Sequence, residues 1–275
     1  MRETVADQGV SGQMDRAATA AKGAAGKAGD HPVIEWGARL GYAASGVLHL
    51  VLAWLTVHVA LGDSGGQASQ SGALSVVAHQ SFGLVLLWVL TLGFALLAIW
   101  QVTEIVVARK AFDKAKAAGK AVMYAALAWT AMTFALGGHT SSNKQSKDFT
   151  RTLMEAPAGR FLVGLLGVAI LGVAGYHIYK GWTKRFLRDL QEHPGHWAVV
   201  AARVGYIGKG VALVAVGVLF IVAAVEQQVR KATGLDGALK SLRDLPAGSV
   251  ILIGVALGLA AYGVYSFARA RYARV

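Results

Sequence analysis

An all-α polytopic membrane protein, with six transmembrane helices forming three tandem helical hairpins in a quasi-threefold bundle, is what this sequence predicts. Three observations predict it. The chain of 275 residues is 55% hydrophobic and only 15% charged, with a mean hydropathy of +0.49, whereas soluble domains carry about a quarter charged residues. It contains runs free of Asp, Glu, Lys and Arg that are long enough to cross a hydrocarbon core of about 30 Å, which takes roughly twenty helical residues. Its apolar segments also repeat one another in order: LVLAWLTVHVALG at 50–62 returns as AALAWTAMTFALG at 125–137.

Residues 1–35 hold Ala, Gly and mixed charge without an apolar core, which excludes a signal peptide and predicts a mobile cytoplasmic tail. The first hairpin repeat covers 36–110, with spans at about 37–61 and 82–108. SGGQASQSG at 64–72 lies between them and is read as loop because turn residues crowd it. The second repeat covers 117–185, with spans at about 119–138 and 158–180; the third covers 201–270, with spans at about 203–225 and 247–268. These runs are continuously apolar, whereas a membrane β-barrel alternates over about ten residues per strand. In the last outer loop Leu235, Ala238, Leu239, Leu242 and Leu245 follow helical spacing, and Phe149, Leu153 and Ala156 do so more weakly. Short amphipathic helices on the outer interface are expected there. Pro157 and Pro246 would end them and occupy the first turn of the next span.

Charge gives the orientation. Nineteen Lys and Arg fall in the N-terminal tail, in the connections between repeats and at the C-terminus, against eight in the outer loops. The positive-inside rule then places both termini in the cytoplasm. The net charge of +12 follows from that topology and from attraction to anionic headgroups. No basic stripe with interleaved aromatics suggests nucleic acid. With no cysteine in the chain, disulfides and thiolate metal sites are excluded.

The repeat is threefold. Ala38-Arg39-Leu40-Gly41-Tyr42 returns as Ala202-Arg203-Val204-Gly205-Tyr206, with Gly46 on Gly210; Pro157-Ala158-Gly159 returns as Pro246-Ala247-Gly248, and Tyr176 falls on Tyr265. Two helices per unit insert every copy the same way up, so the repeats are parallel about an axis along the membrane normal. GALKSLRDLPAG at 237–248, GALSVVAHQSFG at 72–83 and ARxGYxxxG at 38–46 and 202–210 resemble the tandem hairpins of an uncharacterised bacterial membrane family, domain of unknown function 1206. The resemblance covers about residues 36–270, and the middle copy departs most, lacking the ARxGY opening and its glycines. It implies a bacterial inner-membrane protein and supplies no activity.

Ionisable groups inside a membrane are functional candidates, which singles out Glu104, Lys120, Lys209, His49 and His177. Lys120 and Lys209 are repeat equivalents, and Ser45 takes their place in the first copy. An ion pair of Glu104 with Lys120 or Lys209 is expected; snorkelling and a structural salt bridge explain such residues more simply than a solute gate does. His49 and His177 could hold a b-type haem, but their expected depths differ by about 10 Å, and bonds to neighbours account for them more simply. Gly254 and Gly258 form a GxxxG suited to close helix packing. Trp54 and Trp129, repeat equivalents at one depth, are expected to serve packing.

No GxxxxGK[ST], HExxH or GxSxG occurs, so no enzyme, cofactor or catalytic residue is expected. The reading is a non-catalytic accessory, scaffold or lipid-interacting protein of the bacterial inner membrane, engaging the bilayer and a membrane-protein partner. A small-solute transporter or channel is the alternative, disfavoured because polar midplane residues are sparse. A haem-binding membrane subunit stands behind both.

Overall fold

A computed structural model describes residues 32–63, 66–108 and 110–274. The tail expected at 1–35 therefore lies outside the described residues except for its last four, which are helical. Nine α-helices are present among the described residues. Six are long: α1 (Pro32–Leu61), α3 (Gly83–Val107), α4 (Ala111–Ala135), α6 (Gly159–Trp182), α7 (His196–Glu226) and α9 (Gly248–Tyr272). Three short ones precede α3, α6 and α9: α2 (Gln70–Ala78), α5 (Ser142–Glu155) and α8 (Leu235–Arg243). One end of the bundle carries the α3–α4 and α6–α7 connections and the C-terminus, and is called here the basic end; α2, α5 and α8 cover the other, the cap end.

Five long helices, α1 from Glu35, α3, α6, α7 and α9, are long and apolar enough to cross a membrane. The sixth, α4, is 25 residues long, but its first half carries Asp113, Lys114, Lys116 and Lys120, and its second half is built on Ala, Thr and Gly more than on Leu, Val and Ile. Outward faces of the bundle are large and apolar: Trp88, Leu92, Ile99, Phe161, Leu165 and Leu257 are all exposed, the surface expected of helices in contact with a bilayer.

The principal packing runs between repeats. The first long helix of each copy packs most extensively on the second long helix of the preceding copy: α4 on α3, α7 on α6 and α1 on α9. Within copies, α1 meets α3 and α7 meets α9, but α4 and α6, the hairpin of the middle copy, share no packed interface. The glycines explain the difference. A β-carbon at Gly205 would stand 2.6 Å from Tyr262 Cα, and one at Gly41 would collide with the Gly93 carbonyl, so both hairpins close only because a side chain is missing. The middle copy has Lys116 at this place. Gly46 and Gly210 play the matching part between repeats, against the carbonyls of Gly263 and Ala174.

The cap corrects two expectations. Residues 70–72, expected to be loop, begin α2, because the Ser69 side chain accepts from Gly72 N and caps it. Pro157 and Pro246 stand before the next helices: Ala158 and Ala247 intervene in the left-handed region (φ 58° and 60°), and the helices start at Gly159 and Gly248. Short helices stand where the spacing of Phe149, Leu153 and Ala156 and of Leu235 to Leu245 led us to expect them, as α5 and α8, and α2 and α8 bury Leu74 and Leu239. Their N-termini converge on Asp236, which is 2% exposed. Its carboxylate accepts from Ala68 N (2.8 Å), Asn143 Nδ2 (2.8 Å) and Lys240 Nζ (3.0 Å), one group from each outer loop. Ser71, the repeat equivalent of Asp236, accepts from Ser142 N at 2.8 Å.

Trp54 and Trp129 are 52% and 67% exposed, so they face outward and do not serve packing. An indole, apolar with one N–H, is suited to the lipid-facing surface near an interface.

Candidate functional site: an aromatic and cationic cluster inside the bundle

At the basic end the interior is lined by tyrosines and cations. ARxGY places its tyrosine one residue after the close-packed glycine, so Tyr42 and Tyr206 point into the bundle and are buried. The arginine of the first copy faces the neighbouring helix. Arg39 donates to Glu35 Oε1 (2.7 Å), one turn earlier, and to the carbonyls of Ala270 and Arg271, which end α9. A cation on the last carbonyls of a helix satisfies them and suits the helix dipole.

Tyr42 and Tyr206 each lie beneath a cation from the preceding copy. The Arg269 guanidinium stands 4.1 Å from the Tyr42 ring centre and the Lys180 ammonium 5.0 Å from that of Tyr206. Arg269 and Lys180 are repeat equivalents. The third place holds Glu104 and Ala117, and no such pair can form. Tyr206 is further packed by Phe186 (5.7 Å, stacked), Tyr262 (5.3 Å) and Tyr265 (5.7 Å).

Lys180 Nζ also pairs with Asp189 at 2.5 Å. Asp189 closes a 3₁₀ turn (Arg185–Asp189) that the C-terminal segment holds by Gln191 N to Tyr272 O, Arg274 N to Asp189 O and Arg274 Nε to Leu190 O. Burial works to raise the Asp189 pKa, but the Lys180 ammonium and then the Arg269 guanidinium outweigh it and hold the carboxyl below its usual value.

Two of the residues singled out from sequence meet here. Lys209 Nζ lies 3.3 Å from His49 Nε2 and 4.3 Å from the Tyr262 ring centre. His49 Nδ1 is 2.7 Å from the Ser45 carbonyl, which accepts only; Nδ1 therefore carries the proton and Nε2 accepts from the lysine. The nitrogen left for metal ligation thus faces an ammonium, an arrangement unsuited to an axial ligand. His177 Nδ1 donates to Val173 O at 2.8 Å, and its ring packs 5.8 Å from Tyr206. Lys120, on α4, is in electrostatic reach of Arg269, Lys180 and Asp189.

The expected ion pair does not form. Glu104 is exposed on α3 and makes no ion pair among the described residues, because Lys209 points to His49 and Lys120 toward the interior. Gly258 meets Gly208, where a β-carbon would stand 2.6 Å from the facing Cα; Gly254 faces open space.

Sequence reasoning passed over Tyr42, Tyr206, Tyr262, Tyr265, Lys180, Arg269 and Asp189 as a set. The signal was present in part: Tyr42 and Tyr206, and Lys180 and Arg269, recur at repeat-equivalent positions. Nothing local reveals that each tyrosine meets the cation of a different copy.

A family model described as Domain of Unknown Function (DUF1206) matches residues 40–107, 115–184 and 204–273, which supports the internal repeat. The chain is 27% identical over 255 residues to Uncharacterized protein YxxB of Bacillus subtilis (strain 168), covering 88% of this chain and 92% of that protein. No solved structure matches. The ARxGY repeats that build the cluster fall in the first and third matched copies or at their edges, and with three tandem matches covering most of its length, the chain belongs to the DUF1206 family.

Proposed function

We propose that this chain is a non-catalytic protein of the bacterial inner membrane, with six spans, a quasi-threefold arrangement and both termini in the cytoplasm, that engages bilayer lipid at the flank between α4 and α6. The observation that carries this reading is the missing α4–α6 interface. Among the long helices it leaves α6 packed on α7 alone, with Phe161, Leu165, Val168 and Val173 exposed. No Asp, Glu, Lys or Arg occurs from 161 to 179, so acyl chains fit that face. Lys116 and Lys184 stand at its basic end, where they attract anionic headgroups at about 1 kcal/mol each near a membrane surface. Recurrence of one interface, α3 with α4, α6 with α7 and α9 with α1, supports the threefold arrangement. It also supports α4 as a sixth span, since α4 fills the place that α1 and α7 fill. The excess of basic residues at one end supports the orientation.

The test uses the natural absence of cysteine. Cysteine pairs placed across α6 and α7 should crosslink in membranes, and pairs across α4 and α6 should not; native mass spectrometry from mild detergent should retain lipid. Efficient α4–α6 crosslinking, a clean lipid-free mass, or solute flux into liposomes that vanishes in Lys209→Ala would overturn the reading.

A further inference from the structure

The cluster at the basic end carries more donors than it uses. Gln101 Nε2, Arg269 Nε and the Tyr265 hydroxyl are buried with no hydrogen-bond partner, and Gln101 is 1% exposed. They belong to α3 and α9, at the basic end. Arg269 lies over the Tyr42 ring; Tyr265 is one turn from Arg269 on α9; Gln101 is one turn beyond Leu97, which closes on Gly41 beside Tyr42. A buried donor with no acceptor is costly, and each such group calls for an explanation. The charge is equally one-sided. Among the described residues Lys120, Lys180, Lys209 and Arg269 share the interior with one carboxylate, Asp189, which Lys180 already engages.

We infer that this cluster is a binding site for a phosphate group, with the Arg269 guanidinium, the Gln101 amide and the Tyr265 hydroxyl donating to its oxygens and Lys120 and Lys209 supplying counter-charge. Gln101 Nε2 and Arg269 Nε can only donate, so their missing partner is an acceptor. The donors come from two helices and the lysines from two more, a spread that matches a tetrahedral oxyanion with several oxygens better than a planar carboxylate with two. Arg with neighbouring Lys is the usual pairing for phosphate. A lipid headgroup and free phosphate share this chemistry. The site stands apart from the lipid-engaging flank, since it needs the interior donors and not the exposed face of α6.

The experiment has two arms, each with wild type, Gln101→Leu and Arg269→Gln. Delipidated protein in mild detergent is titrated with inorganic phosphate, with chloride as control, and followed by thermal shift. Protein from nanodiscs of phosphatidylcholine, with or without phosphatidylglycerol, is weighed by native mass spectrometry. A phosphate-dependent rise in melting temperature, weakened at least tenfold in apparent affinity by Gln101→Leu, assigns the site to a free ion. Selective retention of phosphatidylglycerol, lost in Gln101→Leu, assigns it to a headgroup. Gln101→Leu removes an unpartnered group and fills the same space, so it folds even where Arg269→Gln does not. No response in either arm, or responses unchanged in Gln101→Leu, overturns the inference. Retained phosphatidylcholine without a phosphate response would sink this site and leave the flank reading intact.

Discussion

Asp236→Ala should loosen the whole cap. The carboxylate is buried and joins all three outer loops, through Ala68 N and Asn143 Nδ2 at 2.8 Å each and Lys240 Nζ at 3.0 Å. Removing it leaves two buried donors unmet, at about 1–3 kcal/mol each; Lys240, 42% exposed, recovers water and adds little. The expected loss is thus about 2–6 kcal/mol, and at about 2–4 °C per kcal/mol for a chain of this size the melting temperature in detergent falls by roughly 4–24 °C. The assay is intrinsic fluorescence on heating, with Asn143→Ala and the double variant completing a cycle that isolates the shared bond. Hydrogen exchange should rise in all three outer loops together, including the two that do not contain the substitution. An unchanged melting temperature, or exchange confined to 229–245, would refute the reasoning that Asp236 joins the copies.

The acid limb of stability should depend on Asp189. Its pKa is held down in the fold, so its contribution is complete above the ordinary carboxylate value of about 3.9 and is lost as pH falls through the lower folded value; Asp189→Asn should flatten melting temperature against pH in that range. Ala247→Gly should raise stability by about 0.5–1 kcal/mol, because a left-handed alanine (φ 60°) costs about 1–2 kcal/mol and glycine returns only part of that in entropy. A lower melting temperature would contradict it. Gly258→Leu should cost about 3 kcal/mol or more, since the added carbons meet the Gly208 backbone, while Gly254→Leu changes stability by under about 0.5 kcal/mol. Single-tryptophan variants retaining Trp54 or Trp129 should both be quenched by brominated acyl chains, as their exposure requires; an unquenched Trp129 would mean that it packs inside.

Much of the helical layout is legible from the letters, because a bilayer punishes an unpaired backbone and so turns length and apolarity into helices. The candidate residues were half legible. Lys209 and His49 were singled out because charge and imidazole are conspicuous among Leu and Val, yet the Lys209–His49 contact joins positions 160 apart in sequence, and no periodicity carries such a distance. Glu104 was equally conspicuous and proved peripheral, because which face of a helix turns inward depends on the neighbour it packs against.

The sequence by itself determined the helices, their repetition and the charge asymmetry of their ends, all of which follow from local composition. Tertiary structure alone decided which helices touch. The repeats close chiefly on one another and only secondarily on themselves, so the tyrosine of one copy meets the cation of the copy before it. Lys116 standing where Gly41 and Gly205 stand then became an open flank. The physical reason is contact distance: whether two helices can approach depends on the atoms facing each other across the gap, and these come from parts of the chain that no local pattern connects.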